Sequence, residues 1–444
     1  MRAFILGSGG CGIKMLADLY VFINKPTSKY KLLDRYFGFF GGDLEEGVKS
    51  RRMCIERGVP TDAFGRKGSS GEDSDTMFNF RIPSAKPFNL FEISKNKDER
   101  GGVDKTWYLA MEPAKEFIKE NHSFFNETEP YNWINLINSG GGGTGNGVNP
   151  VFLDWLHHKT SNNAKTKKDT YTLDKLITST IILSVRDKLQ YANSAANIGR
   201  SAMYCDGIIL ADNDHISKIS KSSNDYENVI NNQLNHVWVR MITASISCGD
   251  GSAKSNYDIR DFEGRFRVHG NYAGPIVPCF HEFSMDEVKG INLDFVVNLT
   301  IREHALVECD PEKSKAVLVI IAVPQNYKFI SPHHKMSEFL RKQLKLDDNV
   351  RVDVLYNYSN VLTNSIQVTV LLTAPYIPIF MTLFEHLKNY VSDPDALRDM
   401  IYQKAPYLPS KYLDKAPGEY KEAYNKFKDY LEFLGYDVKD KNQK

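Results

Sequence analysis

The segment WINLINSGGGGTGNGVNPVFLDWLHH, residues 133–158, changes from a strand pattern to a helix pattern across six glycines. Glycine lets a backbone turn tightly and approach a ligand closely, because no Cβ stands in the way. Successive backbone N–H groups in such a turn form an anion site, and the following helix adds the positive end of its dipole. A flexible linker rarely lies between an apolar strand and an amphipathic helix, so we predict a phosphate site. Its predicted binding residues are Gly141, Gly142, Gly143, Thr144, Gly145 and Asn146.

A second glycine turn, Gly7-Ser8-Gly9-Gly10-Cys11-Gly12, lies between the first strand pattern and the first helix pattern. Taken alone, this turn fits any Rossmann-like domain. A dinucleotide site would need an acidic residue about 20 residues further on, and Asp34 and Asp43 are poorly placed for that role. The chain has no GxxxxGK[ST] segment. Two glycine turns at the carboxyl ends of different strands predict one ligand held from two sides, with Gly9, Gly10 and Cys11 on the second side.

The remaining pattern predicts an α/β fold. Strand and helix patterns alternate over residues 1–225, as in a Rossmann-like domain with a parallel sheet, and residues 44–88 form a polar insertion rich in Gly, Ser and Lys. A long central helix is predicted at 226–250. Residues 251–375 predict a second, smaller α/β domain. Residues 376–444 predict a C-terminal helical extension, in which Pro- and Lys-rich turns lead to one helix near its end.

Composition and charge argue against several classes of protein. The 56 basic and 55 acidic residues give a formal net charge of +1, so no general basic field attracts nucleic acid. The six cysteines are scattered without a CxxC pair, which fits a reducing compartment better than a disulfide framework or a zinc cluster. No stretch approaches the roughly 18 apolar residues of a membrane span. We therefore predict a cytoplasmic protein without a membrane span.

The segment Gly141–Gly147, GGGTGNG, resembles the GGGTGSG signature of the tubulin/FtsZ superfamily, with asparagine in place of the usual serine. In that family this turn and the N-terminal glycine turn grip the phosphates of GTP or GDP together. The resemblance follows the family's motif order over residues 1–265. It implies a GTPase of the tubulin/FtsZ fold whose partner is a second copy of the same chain. Ile13, Lys14 and the 44–88 insertion depart from the family, which favours a divergent prokaryotic, archaeal or phage tubulin.

Two asparagines are candidates for reading the guanine base. Asn213 ends an apolar strand pattern and resembles the strand-end asparagine that reads guanine in the family. An asparagine side chain both donates and accepts hydrogen bonds, as the guanine edge does. Asn235 lies in the long helix at the spacing that tubulin uses for its second base-reading asparagine. The alternatives are a turn-forming Asn213 and a solvated Asn235.

The segment Asn256-Tyr257-Asp258-Ile259-Arg260-Asp261, after the long helix, resembles the catalytic loop of the family. In the family this loop enters the nucleotide pocket of the neighbouring subunit, where its acids position the attacking water. The resemblance implies catalytic roles for Asn256, Asp258 and Asp261, and phosphoryl transfer needs mainly such positioning and electrostatic help. Carboxylates near a triphosphate repel it unless a cation is present, so Mg²⁺ is implied as well. The alternative is a surface acidic turn.

Weaker matches concern residues around the predicted ligand. Asp187 stands where the family has its ribose-contacting segment, and Gly101 and Gly102 match the loop that senses the γ-phosphate. Asn292-Leu293-Asp294 repeats the Asn-x-Asp pattern but lacks the later acid, so we interpret it as a lookalike. The adjacent histidines at 157–158 and 333–334 would point apart on a helix, and we predict no metal bound by them.

The sequence therefore predicts a cytoskeletal GTPase that assembles head to tail and hydrolyses GTP at the contact between subunits. One alternative is a nucleotide-binding structural or regulatory homologue that does not polymerise. It is suggested by the insertion and by the unusual start of the first helix. A Rossmann-type oxidoreductase that binds NAD is the other alternative. The tail lacks both the acidic tail of tubulin and the short partner-binding peptide of FtsZ, so any cargo or adaptor protein is left unidentified.

Overall fold

Ten strands form one sheet in the part of the chain that the computed structural model describes. The model describes residues 1–25, 27–43, 47–63, 89–92, 105–120, 128, 130–165, 175–184, 186–219, 226–246, 259–267, 272–327, 332–359 and 362–438. The strands are β1 (Ala3–Ser8), β2 (Phe37–Asp43), β3 (Asn89–Glu92), β4 (Trp133–Ser139), β5 (Leu176–Leu183), β6 (Gly207–Asp212), β7 (Gly274–Ser284), β8 (Ala316–Pro324), β9 (Arg351–Ser359) and β10 (Ser365–Thr373). Their order across the sheet is β3-β2-β1-β4-β5-β6-β7-β10-β8-β9.

Helices cover both faces of this sheet. They are α1 (Gly9–Asn24), α2 (Gly47–Glu56), α3 (Met111–Glu120), α4 (Thr144–Lys165), α5 (Lys188–Ser201), α6 (Asn213–Ile219), α7 (Tyr226–Ile246), α8 (Ile259–Phe266), α9 (Leu293–Glu303), α10 (His333–Gln343), α11 (Ile379–Ser392), α12 (Pro394–Lys404), α13 (Ser410–Leu413) and α14 (Ala416–Leu434). One apolar cluster holds residues of α1, α2 and α6–α8, and the other holds residues of α3–α5, α9–α12 and α14. The predicted α/β class is confirmed. The double cover explains why every residue of β1 and β8 is buried.

The sheet has two parts joined by a short ladder. Strands β1 to β6 pair only in parallel, whereas β10 runs antiparallel to both β7 and β8. The two parts meet where β6 pairs with β7 over three residue pairs, from Gly207↔Gly274 to Ile209↔Ile276. Because β1 and β4–β6 are parallel, the loops after them lie at one edge of the sheet, and the starts of these strands lie at the other. We call these the carboxyl edge and the amino edge.

Part of the predicted insertion at 44–88 belongs to the core. Cys54 of α2 is fully buried, and Val59 in the turn after that helix is 1% exposed. Arg57 forms an ion pair with Asp18 of α1. The polar composition of the segment concealed a helix that buries Cys54 and leaves Ile55 exposed. Residues 64–88 lie outside the described residues.

The C-terminal extension packs on the first part of the sheet. Both α11 and α14 contact α5, and a Cβ added to Gly199 would lie 2.7 Å from the backbone of Phe427. The predicted last helix agrees with α14, but the turns expected before it include α11 and α12. Those helices were missed although α11 buries Phe380, Leu383, Phe384 and Leu387, which follow helical spacing.

A buried polar network links α7 to the second part of the sheet. Arg240 is 1% exposed and donates from Nε and Nη2 to Oε1 of Gln367, at 2.8 and 2.5 Å. Gln367 in turn donates from Nε2 to Glu282 at 2.6 Å. The hydroxyl of Tyr30, in the loop after α1, lies 3.1 Å from Nη2 of Arg240 and 3.2 Å from Nδ1 of His236. These bonds tie α7, β7, β10 and the α1 loop together.

We expect His236 to make the chain less stable in acid. Burial, and after it the charge of Arg240, lowers the pKa of His236 from 6.5 to about 3. Since the folded pKa lies below the unfolded one, protons bind the unfolded chain preferentially, and stability is lost as the pH falls from about 6.5 towards 3. This one group should contribute a loss of about 2 kcal/mol between about pH 6.5 and pH 5.

Urea unfolding of the native chain and of His236→Phe at these two pH values tests this expectation. The phenyl ring can keep the stacking on Phe280, whose ring centroid lies 4.4 Å from that of His236. It removes the titrating group. The urea midpoint should therefore fall less in His236→Phe than in the native chain, and equal falls would contradict the assignment.

Candidate functional site

The two glycine turns contact each other at the carboxyl edge. They follow β1 and β4, which pair in parallel from Ala3↔Trp133 to Gly7↔Ile137. Gly9 has a φ of +67°, and a Cβ added there would lie 2.9 Å from the backbone nitrogen of Gly145. A Cβ on Gly145 would lie 2.7 Å from the carbonyl oxygen of Ser8. The turns therefore meet backbone to backbone, at a separation that only glycine permits.

Two glycines of these turns leave room for a Cβ without a close contact. A Cβ on Gly10 would have no described atom within 4 Å, and one on Gly142 would have none nearer than 3.6 Å. Gly10 is exposed in the first turn of α1, and Gly142 is half-buried in the turn before α4. Both helices begin at this edge, so their positive ends lie beside the open surface. The arrangement suits an anion approached from two sides.

Two buried asparagines hold the glycine turn after β4 in place. Asn146 donates from Nδ2 to the carbonyl oxygens of Gly140 and Asn193, both at 2.8 Å. Asn193 of α5 donates to the carbonyl oxygens of Lys105, at 2.8 Å, and Gly141, at 3.3 Å. The side-chain amide of Asn146 is thus used inside the protein. Any contact of Asn146 with a ligand is left to its backbone, because its side chain points away from the open surface.

Asp187 lies near the same turn but is engaged by basic residues. It caps α5 by accepting from the backbone nitrogen of Gln190 at 3.0 Å, and a Cβ on Gly141 would lie 2.9 Å from Cβ of Gln190. Its carboxylate lies 2.6 Å from Nζ of Lys105 and 3.4 Å from Nζ of Lys404. Burial raises the pKa of Asp187. The hydrogen bonds from Lys105 and Gln190 lower that pKa by a larger amount, so the net shift is downward. The predicted ribose contact stays a prediction.

The two asparagines predicted to read guanine lie on helices α6 and α7, which contact each other. Asn213 is the first residue of α6, directly after β6, and so lies at the carboxyl edge with the glycine turns. Asn235 is nine residues into α7, about 14 Å along that helix, and is 3% exposed. It lines a cleft with Asp18 and Glu282, beside the second half of α1. The structure thus places Asn235 in this cleft, and its predicted contact with the guanine base stays a prediction.

Asp261 lies at the amino edge, opposite the glycine turns. It belongs to the first turn of α8, which is anchored by buried Phe262 and Phe266. A Cβ on Gly207, the first residue of β6, would lie 3.1 Å from the side chain of Phe266. The six-residue β6 spans roughly 20 Å, so one copy of the chain cannot bring Asp261 to its own glycine turns. Asn256, Asp258, Gly101 and Gly102 lie outside the described residues.

Solved structures resemble this chain over most of its length, although no family model and no curated protein matches the sequence. CetZ2 from Haloferax volcanii, in a GTPγS-bound protofilament, gives a TM-score of 0.60 at 15% identity, covering 88% of this chain and 99% of that chain. CetZ from Methanosaeta thermophila strain DSM 6194 gives 0.60 at 14% identity, covering 98% and 99%. The empty FtsZ dimer of M. jannaschii gives 0.52 at 14% identity, covering 84% and 88%. The chain has the tubulin/FtsZ fold.

The tubulin/FtsZ fold was predicted from the glycine turns and is confirmed, but the residues that hold those turns were missed. Asn193 donates to the carbonyl oxygen of Gly141 in the turn after β4, and it also donates to the carbonyl oxygen of Lys105. Tyr420 of α14 contacts Asn193 as well, since its hydroxyl donates to Oδ1 of Asn193 at 2.5 Å. The C-terminal helix therefore supports the candidate site from behind. The available signal was the pair of asparagines, Asn193 and Asn197, among the small residues of α5.

The Asn-x-Asp lookalike has a structural role in this fold. Asn292 caps α9, and its side chain accepts from the backbone nitrogen of Asp294 at 3.1 Å, so the Asn-x-Asp repeat there is a helix start. Across the described ranges, we find no group of three or more His, Cys, Asp or Glu side chains that could hold a metal ion. Among the described helices, none is long and apolar enough to cross a membrane.

Proposed function

We propose that this chain binds GTP between its two glycine turns and assembles head to tail into filaments. The supporting observation is that the glycine turns and Asp261 lie at opposite edges of one sheet. Copies stacked with the amino edge of one on the carboxyl edge of the next would bring Asp261 towards the neighbour's nucleotide. The carboxylate would then orient the water that attacks the γ-phosphate, together with Asn256 and Asp258 of the same segment.

Each predicted part of the chain would have its own role in nucleotide binding and assembly. Residues 1–225 would bind the nucleotide through the glycine turns and Asn213. The central helix, 226–250, would link this part to residues 251–375, which would carry the catalytic segment and the opposite assembly face. The extension, 376–444, would brace α5 behind the glycine turns. Two related structures carry guanine nucleotides: the CetZ2 protofilament with GTPγS and the CetZ1 monomer with GDP, both from Haloferax volcanii.

Magnesium belongs to the proposal through the nucleotide. Protein sites for Mg²⁺ commonly supply one or two carboxylates, and phosphate oxygens and water complete the shell. Asp43 is buried at the carboxyl end of β2, and it is our candidate for the carboxylate that the protein supplies to Mg²⁺. The cation would neutralise phosphate charge beside the incoming carboxylates.

Identification of the bound nucleotide tests the first half of the proposal. The purified chain is denatured, and the released small molecules are separated and compared with GTP, GDP and NAD. We expect a guanine nucleotide. Recovery of NAD would favour the oxidoreductase alternative and end the GTPase proposal.

Sedimentation and GTP hydrolysis measured over a range of protein concentrations test the second half. With GTP and Mg²⁺ we expect pelleting above a critical concentration, and a specific activity that rises steeply across it, because each site is completed by a neighbour. Specific activity that stays constant from dilute to concentrated protein would show that each copy hydrolyses GTP alone. Guanine nucleotide bound without pelleting at any concentration would favour the non-polymerising homologue.

A further inference from the structure

A cavity of about 430 Å³ lies between α3, α4, α5 and α14, on the face of the sheet away from α1 and α7. Its walls include the apolar side chains of Met111, Ile118, Val151 and Trp155. Cavities of this size hold small molecules in proteins, with mostly apolar walls and a few polar groups that fix orientation. The cavity shares no lining residue with the two glycine turns.

Arg200 of α5 lines this cavity and is 5% exposed. Its guanidinium lies 4.1 Å from the ring centroid of Trp107, and Nη1 lies 3.5 Å from the carbonyl oxygen of Asn146. Nη2 is buried and has no hydrogen-bond partner within the described part of the chain. Burial lowers the pKa of Arg200 to about 10, and nearby Glu419 and Glu422 oppose that shift, so the group stays charged at neutral pH. A buried guanidinium with an unused donor is costly unless an anion approaches it.

Three lysines add positive charge at the rim. Lys115 and Lys426 each have an exposed glutamate partner on their own helix, at 2.6 and 2.7 Å. Lys119 has no ion-pair partner among the residues that the structure describes. The one carboxylate in the lining, that of Asp154, lies 2.9 Å from Nδ1 of His158. The lining therefore carries more positive than negative charge.

We propose that this cavity binds a small anion with an apolar body, such as an aryl or alkyl carboxylate, sulfonate or phosphate monoester. The apolar body would lie against Val151 and Trp155. The anionic group would take the free donor of Arg200 and the charge of Lys119. Charge and shape then select together: a neutral apolar molecule would leave the guanidinium unpaired, and an inorganic anion would leave the apolar walls wet.

Fluorescence titration of the full chain with anilinonaphthalene sulfonate, an aromatic anion, tests this assignment. N-phenylnaphthylamine serves as its neutral counterpart. We expect one sulfonate site per chain and clearly weaker binding of the neutral dye. Val151→Trp fills the cavity and should weaken sulfonate binding by about tenfold or more. Ile291→Trp adds the same side chain at a position that is 43% exposed and outside the cavity, and it should leave binding unchanged.

A second variant keeps the test decisive if Val151→Trp fails to fold. Lys115→Gln combined with Lys119→Gln changes only the rim, and it should weaken the sulfonate by about fivefold while leaving the neutral dye unaffected. Equal affinity of both dyes in the native chain would overturn the preference for anions. Undiminished sulfonate binding in a folded Val151→Trp chain would overturn the site itself.

Discussion

Asp261→Ala is expected to reduce GTP hydrolysis about a hundredfold at saturating protein, the usual loss when a group that positions a reacting water is removed. Nucleotide affinity should not change, because Asp261 lies at the amino edge and the glycine turns lie at the carboxyl edge. Filaments should still form with GTP and should disassemble more slowly than native ones. Phosphate release, nucleotide binding and sedimentation, measured on the same preparation, check all three expectations.

Glu263→Ala is the matched control for this variant. Glu263 is an acid on the same helix, and its Oε1 lies 3.6 Å from Nη1 of Arg267 within the same chain. Its removal deletes an equal charge from α8 without deleting the proposed water ligand, so hydrolysis should change little. Equal losses in the two variants would assign the effect to damage in α8. Filaments of Asp261→Ala that disassemble faster than native ones would contradict the catalytic role.

The fold could be predicted well from the sequence because its decisive signals are local. The glycine turn after β4 and the apolar strand patterns each act within a few residues, and alternating strands and helices indicate a parallel sheet with helices on both faces. The missed elements had their signals diluted by other residues. The buried residues of α9 follow helical spacing: Leu293, Val296, Val297 and Ile301. The helix start at Asn292 was missed because the same residues form the Asn-x-Asp pattern of a catalytic loop.

The candidate site was predicted less completely because side-chain direction depends on tertiary packing. The contact between Gly9 and Gly145 follows from the pairing of β1 with β4, whereas the sequence predicted only that the two turns hold one ligand from two sides. The inward turn of Asn146 depends on α5, and the place of Asn235 depends on how α7 crosses α1. Asn193 and Tyr420 are 227 residues apart in sequence, and no local pattern could have joined them.

Gly145→Ala is expected to weaken GTP binding about a hundredfold, since it separates the two glycine turns. The added Cβ would lie 2.7 Å from the carbonyl oxygen of Ser8 and 3.0 Å from Cβ of Asn138. Both neighbours belong to central strands that cannot move aside, so the turn must shift, at a cost of about 1–3 kcal/mol to the fold as well. Titration with a fluorescent GTP analogue measures the affinity, and the thermal midpoint measures the stability.

Two further glycine variants separate lost binding from lost folding. The Cβ of Gly10→Ala would have no described atom within 4 Å, so this variant should keep the native thermal midpoint. It should still weaken GTP binding, because the methyl group occupies the open surface assigned to the phosphates. Gly418→Ala also meets no atom within 4 Å and lies in α14, so it should change neither property. If Gly10→Ala bound GTP with native affinity, the phosphates could not lie against the glycine turn after β1.

Mixing the two defective chains tests whether the site is shared. Asp261→Ala keeps the nucleotide site and lacks the acid, whereas Gly145→Ala keeps the acid and binds little nucleotide. In an equal mixture of stacked copies, about one contact in four joins a filled pocket to an intact Asp261, so about a quarter of the native activity should return. Two copies acting separately would give only the sum of their residual activities. That result would contradict the proposal that Asp261 of one copy acts on the nucleotide bound by the next copy.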